Sequence, residues 1–154
     1  MISFKKIFIF ILFFIDYTFY AQNVKMATIN KGAFVPLYGT TSKKPVQVAS
    51  FSIDIYPVTN AQYLAFVKKN PAYSRSQMKA LFADKSYLYQ WQGDYNYGKN
   101  NLENAPVTNV SWFAAKKYCE CQGKRLPTMD EWEYVAMADE KRIDARAKEE
   151  FNKY

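Results

Sequence analysis

Histidine is absent from the 154 residues. That excludes, for these residues acting alone, a His-activated nucleophile, an imidazole proton shuttle and any His-containing metal site. Cysteine is nearly absent: Cys119 and Cys121 are the only two, in the run "YCEC". On a helix, positions i and i+2 stand about 200° apart around the axis. The pair is therefore expected to face nearly opposite sides, neither bridging nor sharing a metal, because a metal pair needs at least two intervening residues. Two options stay open: buried free thiols, or one cysteine joined to a partner outside the chain. An arginine cluster and a basic stripe along one helix are also missing, although the net charge is +7. The first 21 residues carry only Lys5, Lys6 and Asp16, and residues 139–154 balance five cations against five acids. The surplus lies between them as scattered pairs such as Lys43/Lys44, Lys68/Lys69 and Lys116/Lys117. These read as solvated lysines, not as a nucleic-acid footprint.

Long apolar runs are lacking too. The longest, Ile7–Ile15, follows Lys5 and Lys6 and falls far short of the roughly 20 residues that span a bilayer. Residues 1–21 read as a secretory signal peptide with cleavage near Ala21–Gln22, Phe19 being larger than the usual residue at that position. An uncleaved anchor is the alternative, and no stable membrane span is expected once the segment is removed. No cysteine follows the run at once, which argues against a lipoprotein. A secreted or periplasmic location is the expectation, and an oxidising compartment with it.

What is present is apolar and aromatic. Hydrophobic residues make up 49% of the chain, enough for one globular domain. Aromatics reach 18%, with 13 Tyr and 12 Phe, and composition alone leaves open whether they fill a core or line a groove. Residues 25–58 read as strands and turns. In "VQVASFSIDIYPV" the apolar phase changes between Val48 and Phe51, which predicts a bulge near Ala49–Ser50. "TNAQYLAFVKKNP" predicts a helix with Thr59 as N-cap, Gln62 at the capping-box position and a stop at Asn70–Pro71. Residues 71–105 follow as a long irregular stretch, the kind more often functional than not. Ser111 opens the next helix, closed by Gly123. In "GKRLPTMDEWEYVA", Pro127 cannot donate a backbone hydrogen bond, and Thr128 with Glu131 forms a second capping box. Asp130, Glu131 and Glu133 sit where a helix dipole favours anions, which accounts for them without acid–base chemistry. Lys124 and Arg125 follow a helix C-terminus, where cations are favoured. Trp112 and Trp132, at helix starts, are expected to anchor the core. In the last residues, Ile143, Ala147, Phe151 and Tyr154 fall on one helical stripe that should bury against something. Its pattern runs to the final residue without a stop signal, which suggests truncation.

Three motifs in order, "ASFSIDIYPVTNAQYLAFV", "NAPVTNVSWFAAKKYC" and "GKRLPTMDEWEYVA", resemble the first half of the formylglycine-generating enzyme family, also called sulfatase-modifying factor domains. "SYLYQWQGD" is similar to the loop before the second motif in many members. The residues that carry the match include Asn60, Trp112, Cys119, Gly123, Arg125, Pro127, Thr128, Glu131 and Trp132. The resemblance implies an α+β, C-type-lectin-like fold with much irregular chain, here incomplete and spanning residues 22–154. It implies oxidation of a sulfatase cysteine to formylglycine by molecular oxygen, with copper held by two cysteines and calcium bracing the fold. Other members have drifted to sulfur transfer or to accessory and structural roles. In the family the catalytic cysteines, calcium ligands and most of the substrate groove lie in the second half. Neither Cys119 nor Cys121 matches a catalytic cysteine, so no catalytic or metal-binding residue is assigned. Cys119 matches a position that some secreted members use for a disulfide to the second half. Cys121 stands where many members have tryptophan, and Phe113 where an acid is common.

The substrate-binding candidates are Tyr87, Tyr89, Trp91, Asp94 and Tyr95 in the long loop, with loop side chains folded over the core as the alternative. Three functional readings follow. The chain is the amino-terminal part of a secreted formylglycine-generating-enzyme-like protein, inactive alone, whose partner is a cysteine-containing substrate or the remaining half. Alternatively it is a lectin-like module for peptide or glycan, or a decayed fragment without stable structure.

Overall fold

Thr59 and Thr128 each close a reciprocal capping box that starts a helix. The computed structural model describes residues 24–36, 44–138, 142 and 144–146. Residues 1–21, read as a signal peptide, lie outside that set, as do all four residues of the C-terminal stripe. Asp144, Ala145 and Arg146, inside the same stretch, are not helical.

Helix α1 (Asn60–Lys69) starts at Thr59, whose hydroxyl accepts from the Gln62 amide at 3.2 Å while the Gln62 side chain accepts from the Thr59 amide at 2.9 Å. Two of the unpaired amides of the first turn are thereby satisfied. A 3-10 turn at Pro71–Tyr73 follows directly. Helix α2 (Trp112–Cys121) is capped by Ser111. It ends in a Schellman motif: Gly123 adopts φ 68°, its amide bonds Glu120 O at 3.0 Å, and the Lys124 amide bonds Cys119 O at 2.8 Å. Helix α3 (Met129–Ala136) begins at the Thr128/Glu131 box.

The strands form one antiparallel ribbon in two steps. β1 (Met26–Ile29) pairs with β4 (Phe51–Asp54), and β2 (Gly32–Phe34) pairs with β3 (Val46–Val48). The phase change at Ala49–Ser50 is not a bulge. Ile29 faces Phe51 and Gly32 faces Val48, so equal numbers of residues separate the two pairings on both strands and nothing is inserted. Instead both strands change their inward face together: Ala27, Ile29, Phe51 and Ile53 point in before the break, and Gly32, Phe34, Val46 and Val48 after it. The ribbon turns over at residues 30–31 and 49–50, where the Lys31 amide bonds the Ser50 hydroxyl at 3.0 Å. Parity along one strand cannot separate this from a bulge, because either moves the apolar set to the other face.

Two apolar clusters result. The smaller joins Phe34 and Val48 of the ribbon to Met137 after α3, with Tyr134 against them. The Tyr134 hydroxyl fills the space a Cβ at Gly32 would need. The larger cluster combines Tyr63, Phe66 and Val67 of α1, Ala114 and Tyr118 of α2, and Tyr87, Leu88 and Trp91 of the irregular stretch. Trp112 and Trp132 belong to neither: they are 61% and 59% exposed. Trp112 stands two positions before Ala114, and Trp132 two before Tyr134, so each points about 200° from its helix's packed face. The expectation that they anchor the core is corrected. No helix among the described residues is long and apolar enough to cross a membrane.

Candidate functional site

The irregular stretch is anchored by Asn60, the first residue of α1. Its buried side-chain amide donates to Leu102 O at 3.0 Å and Ala105 O at 3.3 Å, while its oxygen accepts from Trp91 Nε1 at 3.2 Å. One amide group thus holds the Leu102–Ala105 backbone and the Trp91 indole around the helix start. Backbone bonds from Asn60 to Ala105 and from Val107 to Val58, both 2.9 Å, complete the clasp. Leu88, fully buried, takes φ 48°, and its amide bonds the carbonyl of Asn109, itself at φ 57°. Asparagine enters the left-handed region readily, but a leucine persists there only where surrounding packing fixes it.

Of the five loop candidates, the structure brings Tyr87 and Trp91 into the core and leaves Tyr89 and Tyr95 at the surface. Tyr87 and Trp91 are 5% and 2% exposed, so these two take the alternative of side chains folded inward and present no stacking face to a ligand. The Tyr87 hydroxyl donates to Tyr73 O at 2.8 Å, which makes Tyr63 the donor in the 2.8 Å contact between the two phenols. Burial pushes the Tyr87 hydroxyl up to about 12 and the Tyr63 hydroxyl further still. Both stay protonated in neutral water and serve as structural donors. Burial, then the nearby Asp54 carboxylate, likewise pushes Tyr118 up to about 12.

Asp94 is tied down. Its carboxylate accepts from the Ser76 hydroxyl at 2.6 Å and the Ser76 amide at 2.7 Å, and these bonds hold it below the ordinary aspartate range. The nearby Ser74 hydroxyl lowers it a little further. Arg75 alongside donates to Trp91 O. Asp94 and Arg75 therefore fasten the loop to the 3-10 turn region.

The motif residues around α3 form a second constellation. Arg125 grips Glu131 with two bonds of 2.6 Å, while the second Glu131 oxygen also accepts from the Thr128 amide at 2.8 Å. The guanidinium, ahead of the cap, brings the Glu131 carboxyl down to about 2. Lys124 reaches Asp54 at 2.6 Å and ties the end of α2 to β4. Glu131 is fully committed to these partners and has no proton to exchange near neutrality.

Cys119 and Cys121 are both half-buried and free, and both pack against the larger cluster. The pair does not divide between core and solvent, because that cluster is broad enough to touch both flanks of α2. Burial, reinforced by Asp54, raises the Cys119 thiol, which disfavours the thiolate that binds metal or attacks. Two thiols two residues apart on one helix cannot converge on a copper ion, so these residues do not fit the copper site that the family implies. Among the described residues no group of three or more His, Cys, Asp or Glu side chains lies together to hold a metal.

One feature went unread in the sequence. A cleft of about 480 Å³ opens between α2 and residues 72–82, walled by Met78, Phe82, Trp112 and Phe113 and rimmed by lysines. Phe113 packs edge-on against both Phe82 and Trp112, with ring centroids 5.1 and 5.3 Å apart. The signal was present as "SWF" at a helix start, but which face it occupies depends on where the helix packs.

A sulfatase-modifying factor enzyme 1-like domain model matches residues 18–153. The chain is 32% identical over 120 residues to the inactive C-alpha-formylglycine-generating enzyme 2 of Bos taurus, a match covering 60% of this chain and 40% of that protein. It is 30% identical over 130 residues to the formylglycine-generating enzyme of Streptomyces coelicolor, covering 68% of this chain and 41% of that one. A 31% match over 87 residues to a serine/threonine-protein kinase, pkn1, of Chlamydia pneumoniae covers 56% of this chain and 14% of the kinase. The chain spans less than half the length of these curated relatives.

Proposed function

Because this chain belongs to the sulfatase-modifying factor family, we propose that its residues build the amino-terminal scaffold of an exported formylglycine-generating-enzyme-type domain with C-type-lectin-like architecture. On this reading, cysteine-to-formylglycine oxidation or a related oxidase or accessory role belongs to the whole protein. The reacting thiols, copper and calcium lie in other polypeptide. The observation that carries it is the donor set. Cys119 and Cys121 are fixed two residues apart on α2, packed against a core, and the Cys119 thiol is raised rather than activated. Every other conspicuous polar motif residue is committed to holding the chain: Asn60 clasps the loop, Glu131 caps α3 and binds Arg125. That relatives of more than twice the matched length include both a named enzyme and a named inactive homologue supports a scaffold role separable from turnover.

The test is to incubate the purified chain aerobically with copper and a peptide bearing a sulfatase-type cysteine, and to measure peptide mass. The scaffold reading expects unchanged peptide; conversion of cysteine to aldehyde by these residues alone would overturn it. A second reading, a non-catalytic lectin-like module, is favoured by the exposed rings of Tyr89 and Tyr95, 54% and 49% accessible. Titration against a glycan array checks it, and lack of any saturable binding there removes it.

A further inference from the structure

We propose that the cleft between α2 and residues 72–82 is a docking site for an acidic peptide segment carrying a bulky apolar side chain. The cleft wall is a ladder of three rings, Phe82, Phe113 and Trp112, with Met78 beside it. The three rings are 39%, 47% and 61% exposed, a concentration of bare aromatic surface that soluble chains keep where something binds. Its volume, about 480 Å³, suits one or two large side chains.

Charge names the occupant. Lys79, Lys116 and Lys117 rim the cleft against a single acid, Glu120. Glu120 is already engaged by Lys116 at 2.5 Å and Lys117 at 3.6 Å. The rim therefore keeps a positive excess around an apolar floor, and an anionic segment with an apolar side chain complements both at once. A cationic segment would meet repulsion at the rim. The recess is concave, which favours an inserted side chain over a flat lipid surface.

The test uses the full chain with Trp132→Phe, which leaves Trp112 as the exposed reporter while Trp91 stays buried. A short synthetic peptide bearing Phe and Leu flanked by Asp and Glu is titrated, beside the same peptide with Lys in place of the acids and beside phosphatidylserine vesicles. The expected result is a saturable blue shift of emission with the acidic peptide only, weakening as salt rises. Lys79→Glu with Lys117→Glu should lower affinity about tenfold or more, and Phe113→Ala should do likewise. All three positions are at the surface, and an unchanged thermal transition confirms that each variant folds. Equal binding of the basic peptide, a shift with vesicles alone, concentration-dependent self-association without peptide, or full affinity in the charge-reversed variant would overturn the proposal.

Discussion

The ribbon of β1–β4 and the stretch from residue 70 to residue 111 divide the work of this molecule in an unexpected way. The ribbon has regular pairing, yet among the described residues its cluster has Phe34, Val48 and Met137 as its buried members. The stretch has no α-helix or named strand beyond one 3-10 turn, yet it sends Tyr87, Leu88 and Trp91 into the larger core. Regular hydrogen bonding and burial are separate sources of order here. Where the ladder is short, two small sheets hang from a modest apolar contact. Where there is no ladder, side-chain bonds from Asn60 and Asp94 satisfy backbone and loop groups that a strand would have paired.

The comparison can be sharpened by truncation. Trp91→Ala removes a fully packed indole and its bond to Asn60, and is expected to cost about 4 kcal/mol, much of the stability of a small domain. Phe34→Ala in the ribbon cluster should cost less, about 3 kcal/mol, because its half-buried neighbours can relax into the space. Urea midpoints measured on both variants decide, and a larger loss at Phe34 breaks the contrast. Asn60→Ala leaves the Trp91 indole donor unpaired and takes one of the two bonds from each of Leu102 O and Ala105 O, which keep their backbone donors; it should cost about 2 kcal/mol by the same measurement.

A smaller effect is expected at Glu131, at the end of the ribbon side. Its folded carboxyl lies near 2, below the ordinary 4.5, so the folded state favours the charged form. The stability it adds is complete above about pH 4.5 and drains away as pH falls toward 2. Glu131→Gln should flatten that part of the pH–stability curve and cost about 1 kcal/mol at neutral pH through the lost ion pair, because glutamine can keep the cap as Gln62 does in α1. The smallest effect is Trp112→Ala. With its ring 61% exposed, the thermal midpoint should barely move, a change within about 0.5 kcal/mol. A loss approaching that of Trp91→Ala would mean that the two tryptophans do not differ as described.

What could be read in advance followed the range of the signal. The caps at Thr59, Ser111 and Thr128 and the left-handed Gly123 are encoded within a few residues, and each lies where the pattern put it. The family likewise announced itself through motifs clustered at those caps. Pairings that cross the chain could not be read: Arg125 with Glu131, Lys124 with Asp54, and Asn60 with Trp91 all depend on the packed arrangement. The same limit explains the tryptophans. Trp91, in an aperiodic loop, could be read either as a binding ring or as a side chain folded over the core, while Trp112 and Trp132 looked like anchors until the packed faces of α2 and α3 were known. Phase along one strand misled at Ala49–Ser50 because the partner strand turns over with it.

Residue-resolved hydrogen exchange in the native state tests the central contrast most directly. The amides of Leu88 and Trp91, bonded at 2.9 Å to Asn109 O and Leu88 O, should stay protected about as long as that of Tyr63 in α1. The Ile55 amide at the ribbon's end, bonded to Lys25 O at 3.0 Å, should exchange well before them. Loss of protection at Leu88 and Trp91 ahead of Ile55 would contradict the view that the irregular segment is the scaffold's core.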